Sequence, residues 1–201
     1  LISEFEEYFE MPKNFCEEMY KFSKFRDNLN IIYPNSINVN SSEVKKIFSQ
    51  NEFSNSFILN TGNQILKDVL KLGVNFFHIH PGYLPEVRGA DGTLNSILHH
   101  NYLGVTSFIM TEKIDYGFII KREKYLCPKF NLLNYHNYNL KDIYRIWYSF
   151  FDPLLRVSHF KKLFKLKEIK INKNIETEKS YYYSFLNKEN LKKVFDKIFN
   201  Q

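Results

Sequence analysis

Phe76-Phe77-His78-Ile79-His80-Pro81-Gly82-Tyr83-Leu84-Pro85-Glu86-Val87-Arg88-Gly89-Ala90-Asp91-Gly92 is the stretch that decides how this 201-residue chain is read. Its apolar start predicts a strand over 74–80. Side chains two apart on a strand share a face, so His78 and His80 point the same way near the strand's carboxyl end. The loop over 81–92 holds two prolines and three glycines. Stiff at some positions and permissive at others, it suits a wall that a ligand approaches closely. Further on, Ile114-Asp115-Tyr116-Gly117 puts a carboxylate in a turn between two β-rich runs, 105–111 and 118–125. A lone histidine on a strand is usually structural. Two on one face, with a carboxylate turn, point instead to proton transfer, because a carboxylate beside an imidazole holds its tautomer and raises its basicity.

Outward from this stretch, residues 1–30 read as one or two short helices broken at Pro12, followed by a short strand over 30–33. Ser41-Ser42-Glu43 opens a helix running to Phe48, with a serine placed to cap it. Phe57-Ile58-Leu59-Asn60 suits a buried strand, and a helix is expected over 64–72, closed by Gly73. A further helix is expected over 93–100. The stretch 140–164 reads as helical with a kink or break at Asp152-Pro153, followed by a strand over 181–183 and a closing helix over 188–199. Helices alternating with short apolar strands argue for parallel strands joined by crossover helices. In such sheets functional residues gather beyond the strands' carboxyl ends.

Composition narrows the classes. Hydrophobic residues at 44% and charged residues at 25% exclude wholesale disorder. No run reaches the ~18 apolar residues of a membrane span, so no membrane role is expected. Cys16 and Cys127 form neither a metal spacing nor a disulfide framework, which favours a reducing cytoplasm. Twenty-eight basic against 22 acidic residues give a net charge of +6, compatible with an anionic partner. Much of that excess lies in 161–179, read as a solvated face, and no nucleic-acid signature accompanies it. The chain opens on Leu1 without a signal-peptide pattern, and a preceding N-terminal piece is expected.

Several ordered motifs resemble those of the folate-dependent formyltransferase family, which includes the sugar-nucleotide N-formyltransferases. His80-Pro81-Gly82-Tyr83-Leu84-Pro85, Arg88-Gly89, Gly104-Val105-Thr106 and Asp115-Tyr116-Gly117 match the family pattern in order, and Asn60-Thr61-Gly62-Asn63-Gln64-Ile65-Leu66 resembles its strand-to-helix turn beside the folate. The resemblance covers roughly residues 37–125. It implies an α/β, Rossmann-like fold with a mixed, mainly parallel sheet, and formyl transfer from N10-formyltetrahydrofolate to a primary amine without a metal. It implies His80 as the residue that moves the proton and Asp115 as its electrostatic partner. His78 occupies the slot where the family has an asparagine that donates a hydrogen bond to the developing oxyanion. Gly62, Gln64, Ile65 and Leu66, with Met110, Thr111, Glu112 and Ile114, fall where the family holds the pterin. Tyr83, Arg88 and Gly89 fall toward the acceptor.

Residues 1–134 are thus expected to form the catalytic domain, with its first strand missing, and 135–201 a helical and short-strand appendage. No room is left for a tRNA-gripping domain, so the resemblance implies a small, nucleotide-linked amino-deoxysugar as acceptor, no nucleic acid, and a homodimer as an open option. The Tyr181-Tyr182-Tyr183 run could stack on a base or pack as an ordinary strand. Two other readings stay open. One is a formyltransferase fold that binds but is catalytically impaired. The other is a metal hydrolase built on His78-x-His80 and Asp115, for which no further ligands are evident: His99-His100 reads as a solvated helix-end pair, and His136 and His159 sit in unrelated segments.

Overall fold

A computed structural model describes residues 1–21, 31–54, 56–62, 64–166 and 179–199. Helices α1 (Ile2–Tyr8), α2 (Phe15–Tyr20) and α3 (Ser42–Phe48) precede strands β1 (Phe57–Leu59) and β2 (Asn75–His80). The two-residue strand β3 (Arg88–Gly89) and helix α4 (Gly92–His100) follow, then strands β4 (Tyr102–Met110) and β5 (Gly117–Leu126). Helix α5 (Leu140–Ile146) continues through a π-helical turn, Trp147–Phe151, into α6 (Asp152–Leu163), and β6 (Tyr182–Tyr183) and α7 (Lys188–Phe199) close the described chain. A serine caps α3 as expected, and it is Ser41, whose hydroxyl accepts from the Val44 amide at 3.3 Å. Instead of breaking at Asp152-Pro153, the long helix widens just before it, and the proline occupies the first turn of α6, where its missing N–H is not needed.

The four-stranded sheet runs β1-β2-β4-β5 and is mixed, as expected of an α/β chain. It is not mainly parallel: β1 and β2 run parallel, but β2–β4 and β4–β5 are antiparallel. Only six residues join β4 to β5, too few for the crossover a parallel pair requires. A separate parallel pair, β3 with β6, brings Arg88 opposite Tyr182 and Gly89 opposite Tyr183.

Two other expectations change. The helix expected over 64–72 is reduced to one 3-10 turn, Asp68–Lys71. Asn40 explains the loss: its amide donates to the Ile65 carbonyl and its carbonyl oxygen accepts from the Lys67 amide, at 2.9 and 2.8 Å. Gln64 bonds the backbone of Val39 and Ile37 in the same way. The strand expected over 30–33 shows no regular structure at 31–33, and residue 30 lies outside the described residues, as does most of the basic stretch 161–179.

The strand alternation sorts the layers. Phe77 and Ile79 face the main core with Leu94, Ile97, Leu103, Val105, Trp147, Phe151, Leu155, Phe195 and Ile198. Phe5 of α1 belongs to the same cluster, so the core is continuous across any boundary drawn near residue 134. On the opposite face Phe76 packs with Leu66 and Val69, while Phe108 packs with Leu84 and Ile119. His78 and His80 stand on this second face, over smaller clusters that leave room for a site.

One side chain pins the loop after β2 to the sheet. The Thr106 hydroxyl, fully buried, donates to the Gly82 carbonyl at 2.8 Å and accepts from the Leu84 amide at 3.0 Å. Gly104 lets that loop approach: a Cβ there would lie 2.5 Å from the Tyr83 nitrogen. Thr106→Val keeps the shape and removes both bonds, leaving two buried backbone groups unmet. Such groups cost about 1–3 kcal/mol each. Denaturant unfolding is expected to show a loss of about 2 kcal/mol or more, and a midpoint equal to wild type would remove the loop clamp.

Candidate active site

His80 ends β2 almost fully buried, 3% exposed. Its Nε2 lies 2.9 Å from the Val87 carbonyl. A carbonyl only accepts, so Nε2 carries the hydrogen and the neutral ring turns an unprotonated Nδ1 toward Asp115, whose Oδ1 is 3.5 Å away. Gly82 makes this packing possible, because a Cβ at that position would lie 2.7 Å from Nε2. Two lone-pair atoms 3.5 Å apart make no direct bond, and a proton on either would join them. Asp115 is held for this: the Gly89 amide donates to its Oδ2 at 2.7 Å and Arg88 Nε to its backbone carbonyl at 3.1 Å. Its left-handed backbone, φ +53°, is one that aspartate tolerates better than most residues. Burial lowers the His80 pKa, while the Asp115 charge and the Val87 bond pull it back up. The ring is therefore neutral near pH 7.

His78 is set in the opposite tautomer. Its Nδ1 lies 2.8 Å from the Asn60 carbonyl and must donate to it, which leaves Nε2 as an acceptor. Burial, outweighing that bond, holds the His78 pKa at about 4. The family slot occupied by His78 calls for a donor. A neutral His78 held by Asn60 donates only from the nitrogen already in use, so its free nitrogen has the wrong polarity for that slot.

A pocket of about 180 Å³ opens beside these groups, lined by Asn60, Gly62, Gln64, Ile65, Leu66, His78, Phe108, Met110, Thr111, Glu112, Lys113, Ile114 and Asp115. All eight positions expected to hold the pterin are brought to this one pocket, together with His78 and Asp115. His80 lies outside the lining, in reach of it through Asp115. Ligand pockets for drug-sized molecules begin near ~300 Å³, so this one admits a single ring system. Ile65, Leu66, Phe108, Met110 and Ile114 give it apolar walls. The β4–β5 ladder ends at Met110–Gly117, leaving the backbone of the turn beyond it free of strand pairing.

Tyr83, Arg88 and Gly89 are not brought to the pocket. Arg88 is buried, bonds Ser180 and Asp115, and lies over the Tyr116 ring at 3.5 Å. Tyr83 packs edge-on to Tyr102. Arg88 and Gly89 position Asp115. Sequence reading missed Phe108, and it placed Asn60 in the turn beside the folate without giving it a role of its own. Asn60 follows the last residue of β1, and its position at a strand's carboxyl end was the available signal. Its backbone carbonyl fixes His78, and its side chain bonds the Gly62 amide at 3.2 Å.

Among the described residues no group of three His, Cys, Asp or Glu side chains is placed to hold a metal ion. The remaining histidines are engaged elsewhere. His99 stacks on Tyr183 and His100 bonds the Tyr183 hydroxyl at 3.0 Å. His159 lies between Glu123 and Ser107, and His136 beside Asp196. Tyr183 thus packs against the body of the protein. No helix among the described residues is long and apolar enough to cross a membrane.

No protein-family model and no curated protein matches the chain. Solved structures resemble it in part. One is a candidate sugar N-formyltransferase from Mycobacterium tuberculosis, at 17% identity and TM-score 0.47, covering 76% of this chain and 60% of its own. A sugar N-formyltransferase from a Shewanella species shows 23% identity and TM-score 0.48 over 79% of this chain and 66% of its own. The formyltransferase PseJ of Anoxybacillus kamchatkensis, solved with a UDP-linked formamido sugar and tetrahydrofolate, shows 18% identity and TM-score 0.47 over 83% and 80%. The chain thus spans less than two thirds of the length of the first two, and its own geometry carries the reading below.

The two tautomers are measurable. Nitrogen-15 spectra of the imidazoles at pH 7 are expected to show His78 protonated at Nδ1 and His80 at Nε2, both neutral. Because the folded pKa of His78 is depressed, the unfolded chain binds protons that the folded one refuses between its ordinary value of 6.5 and about 4. Stability is therefore fully present above pH 6.5 and falls as pH drops through that window, by up to about 3 kcal/mol. A His78 that titrates near 6.5 would overturn the assignment.

Proposed function

We propose that this protein transfers a formyl group from N10-formyltetrahydrofolate to a primary amine of a small acceptor, an amino-deoxysugar carried on a nucleotide. One observation carries the reading. The eight positions matched to a folate site by motif line a single apolar pocket that also holds Asp115, with His80 turned toward that carboxylate.

The pocket would take the flat pterin end of the donor between Ile65, Leu66, Met110 and Ile114. The bound donor supplies an electrophilic formyl carbon. His80 Nδ1, unprotonated and buried, accepts the proton that the attacking amine nitrogen loses as its bond to that carbon forms. Asp115 lies 3.5 Å from Nδ1 and stabilises the imidazolium so produced. The same proton then goes to the folate nitrogen as its bond to the formyl carbon breaks, which returns His80 to its neutral state. Protons and charge balance over the cycle. The tie from Val87 to Nε2 keeps the ring in the tautomer that this exchange needs.

His78 supports a second reading, a fold that binds folate and turns over poorly. Its free Nε2 is a lone pair where negative charge would develop on the formyl oxygen, and an oxyanion donor is worth about 2.7–4 kcal/mol in other enzymes. His78→Asn separates the two. It puts a donating amide in that position and is expected to raise turnover by ~10-fold or more, whereas His78→Ala gives no such gain. A faster His78→Asn variant identifies a working catalyst with a weak oxyanion contact, and equal rates for all three would remove the role of this position. His80→Ala and Asp115→Asn are expected to lower turnover at least ~100-fold in folded protein, since both act on proton transfer. Calorimetric titration with 5-formyltetrahydrofolate is expected to show binding that a bulky replacement of Gly62 or Ile65 abolishes. A folded sample that binds no folate would sink the proposal.

A further inference from the structure

His80 faces an acceptor at each ring nitrogen and, while neutral, has a single ring hydrogen to give. The Val87 carbonyl lies 2.9 Å from Nε2, and the Asp115 carboxylate 3.5 Å from Nδ1. The carboxylate is the stronger competitor, since hydrogen bonds to ionised groups are about twice as strong as neutral ones. Were the Val87 carbonyl free to swing aside, the hydrogen would pass to Nδ1 and bond Asp115 directly. The lone pair that proton transfer uses would then sit on Nε2, facing the backbone. A carbonyl fixed at 2.9 Å forbids this, because two lone pairs would meet there. The working tautomer therefore depends on how firmly the Val87 carbonyl is held.

Part of that hold is backbone. The Val87 amide donates to the Tyr83 carbonyl at 2.9 Å. The amide of Arg88, in the same peptide unit as the Val87 carbonyl, donates to the Tyr181 carbonyl at 3.0 Å. The rest is a side chain. Glu86, next to Val87 and half-buried, accepts from the Tyr102 hydroxyl and, at 3.1 Å, from Lys124 Nζ. Tyr102 begins β4 and Lys124 stands in β5, so Glu86 ties the loop to both strands. Lys124 also lies 4.2 Å from the ring centres of Tyr83 and Tyr102. Arg122 lies 4.6 Å from that of Tyr83 and donates to the Leu84 carbonyl at 2.9 Å. Burial pushes the Glu86 pKa up, but the bonds from Tyr102 and Lys124 outweigh it and keep the carboxyl below its usual value. The anchor is thus an ionised acceptor at neutral pH.

We propose that Glu86 is a positioning residue for His80. Anchored to Tyr102 and Lys124, it steadies the Val87 carbonyl and so keeps the hydrogen on Nε2 and the lone pair on Nδ1. Glu86 does not line the pocket and acts only through Val87. Its effect on the tautomer is independent of any reaction, whereas its effect on turnover rests on the formyl-transfer reading.

The test reads the tautomer itself. Nitrogen-15 spectra of His80 at pH 7 are recorded for wild type, Glu86→Ala, Glu86→Gln and Tyr102→Phe. Thermal unfolding, titration with 5-formyltetrahydrofolate, and turnover of N10-formyltetrahydrofolate with an amino-deoxysugar nucleotide are measured on the same samples. In Glu86→Ala the hydrogen is expected to move toward Nδ1 and turnover to fall at least ~10-fold. Folate affinity is expected to stay the same. Glu86→Gln still accepts a hydrogen bond, and Tyr102→Phe removes one donor while keeping the ring, so both are expected to fall between. Should Glu86→Ala fail to fold, Tyr102→Phe carries the test, and an unshifted His80 there refutes the proposal. A purely structural role would lower the melting temperature and leave His80 protonated at Nε2, with turnover following the folded fraction; that result overturns the inference. So does a shifted tautomer in an enzyme that is no slower. If the tautomer shifts but wild type forms no formyl product, the positioning role stands and the formyl-transfer reading falls.

Discussion

Asp115 faces His80 because the amide of Gly89 holds its carboxylate, a contact 26 residues long in sequence and 2.7 Å long in space. Most of the site hangs on that one tie. Gly89 is itself fixed by pairing with Tyr183, and Arg88 binds the Asp115 carbonyl while lying over Tyr116. The loop between His80 and Gly89 is therefore clamped at both ends, by Thr106 near its start and by β6 near its finish. Within that clamp each histidine has a single carbonyl to bond, and each carbonyl decides which ring nitrogen is free. The electrostatics of the site follow from backbone placement more than from the choice of side chains.

How much of this could be read from the sequence varies with the range of the forces involved. The loop and its partners were legible because close backbone approach restricts residue choice: Gly82 and Gly104 have no room for a Cβ, and Thr106 supplies a hydroxyl of the right length. The pocket positions were legible because they cluster at the ends of strands that alternation reveals. The helix expected over 64–72 was not formed because Asn40, some 25 residues away, takes over its backbone groups. Local propensity is blind to a competitor brought in by the fold.

The same limit applies to His78. That an imidazole stands in the slot was visible. Which nitrogen would be free was not, since the answer lies in the carbonyl of Asn60 on the neighbouring strand. The mainly parallel sheet was misjudged for a simpler reason. Short apolar runs look alike whichever way they point, and only the six-residue link after β4 carried the direction.

Strand β6 and helix α7 have a consequence for the order in which the protein is made. Val194, Phe195 and Ile198 are fully buried in the same cluster as Phe5, and the amide of Phe130 donates to the Ile198 carbonyl. A chain emerging from the ribosome amino end first completes β2, β4 and the Asp115 turn well before residues 182–199 appear. Until they do, Gly89 lacks its strand partner and the core lacks one wall. Contacts this distant along the chain close slowly. The nascent protein would thus carry its histidines on a half-built scaffold, and competence would arrive only with the last two turns of α7.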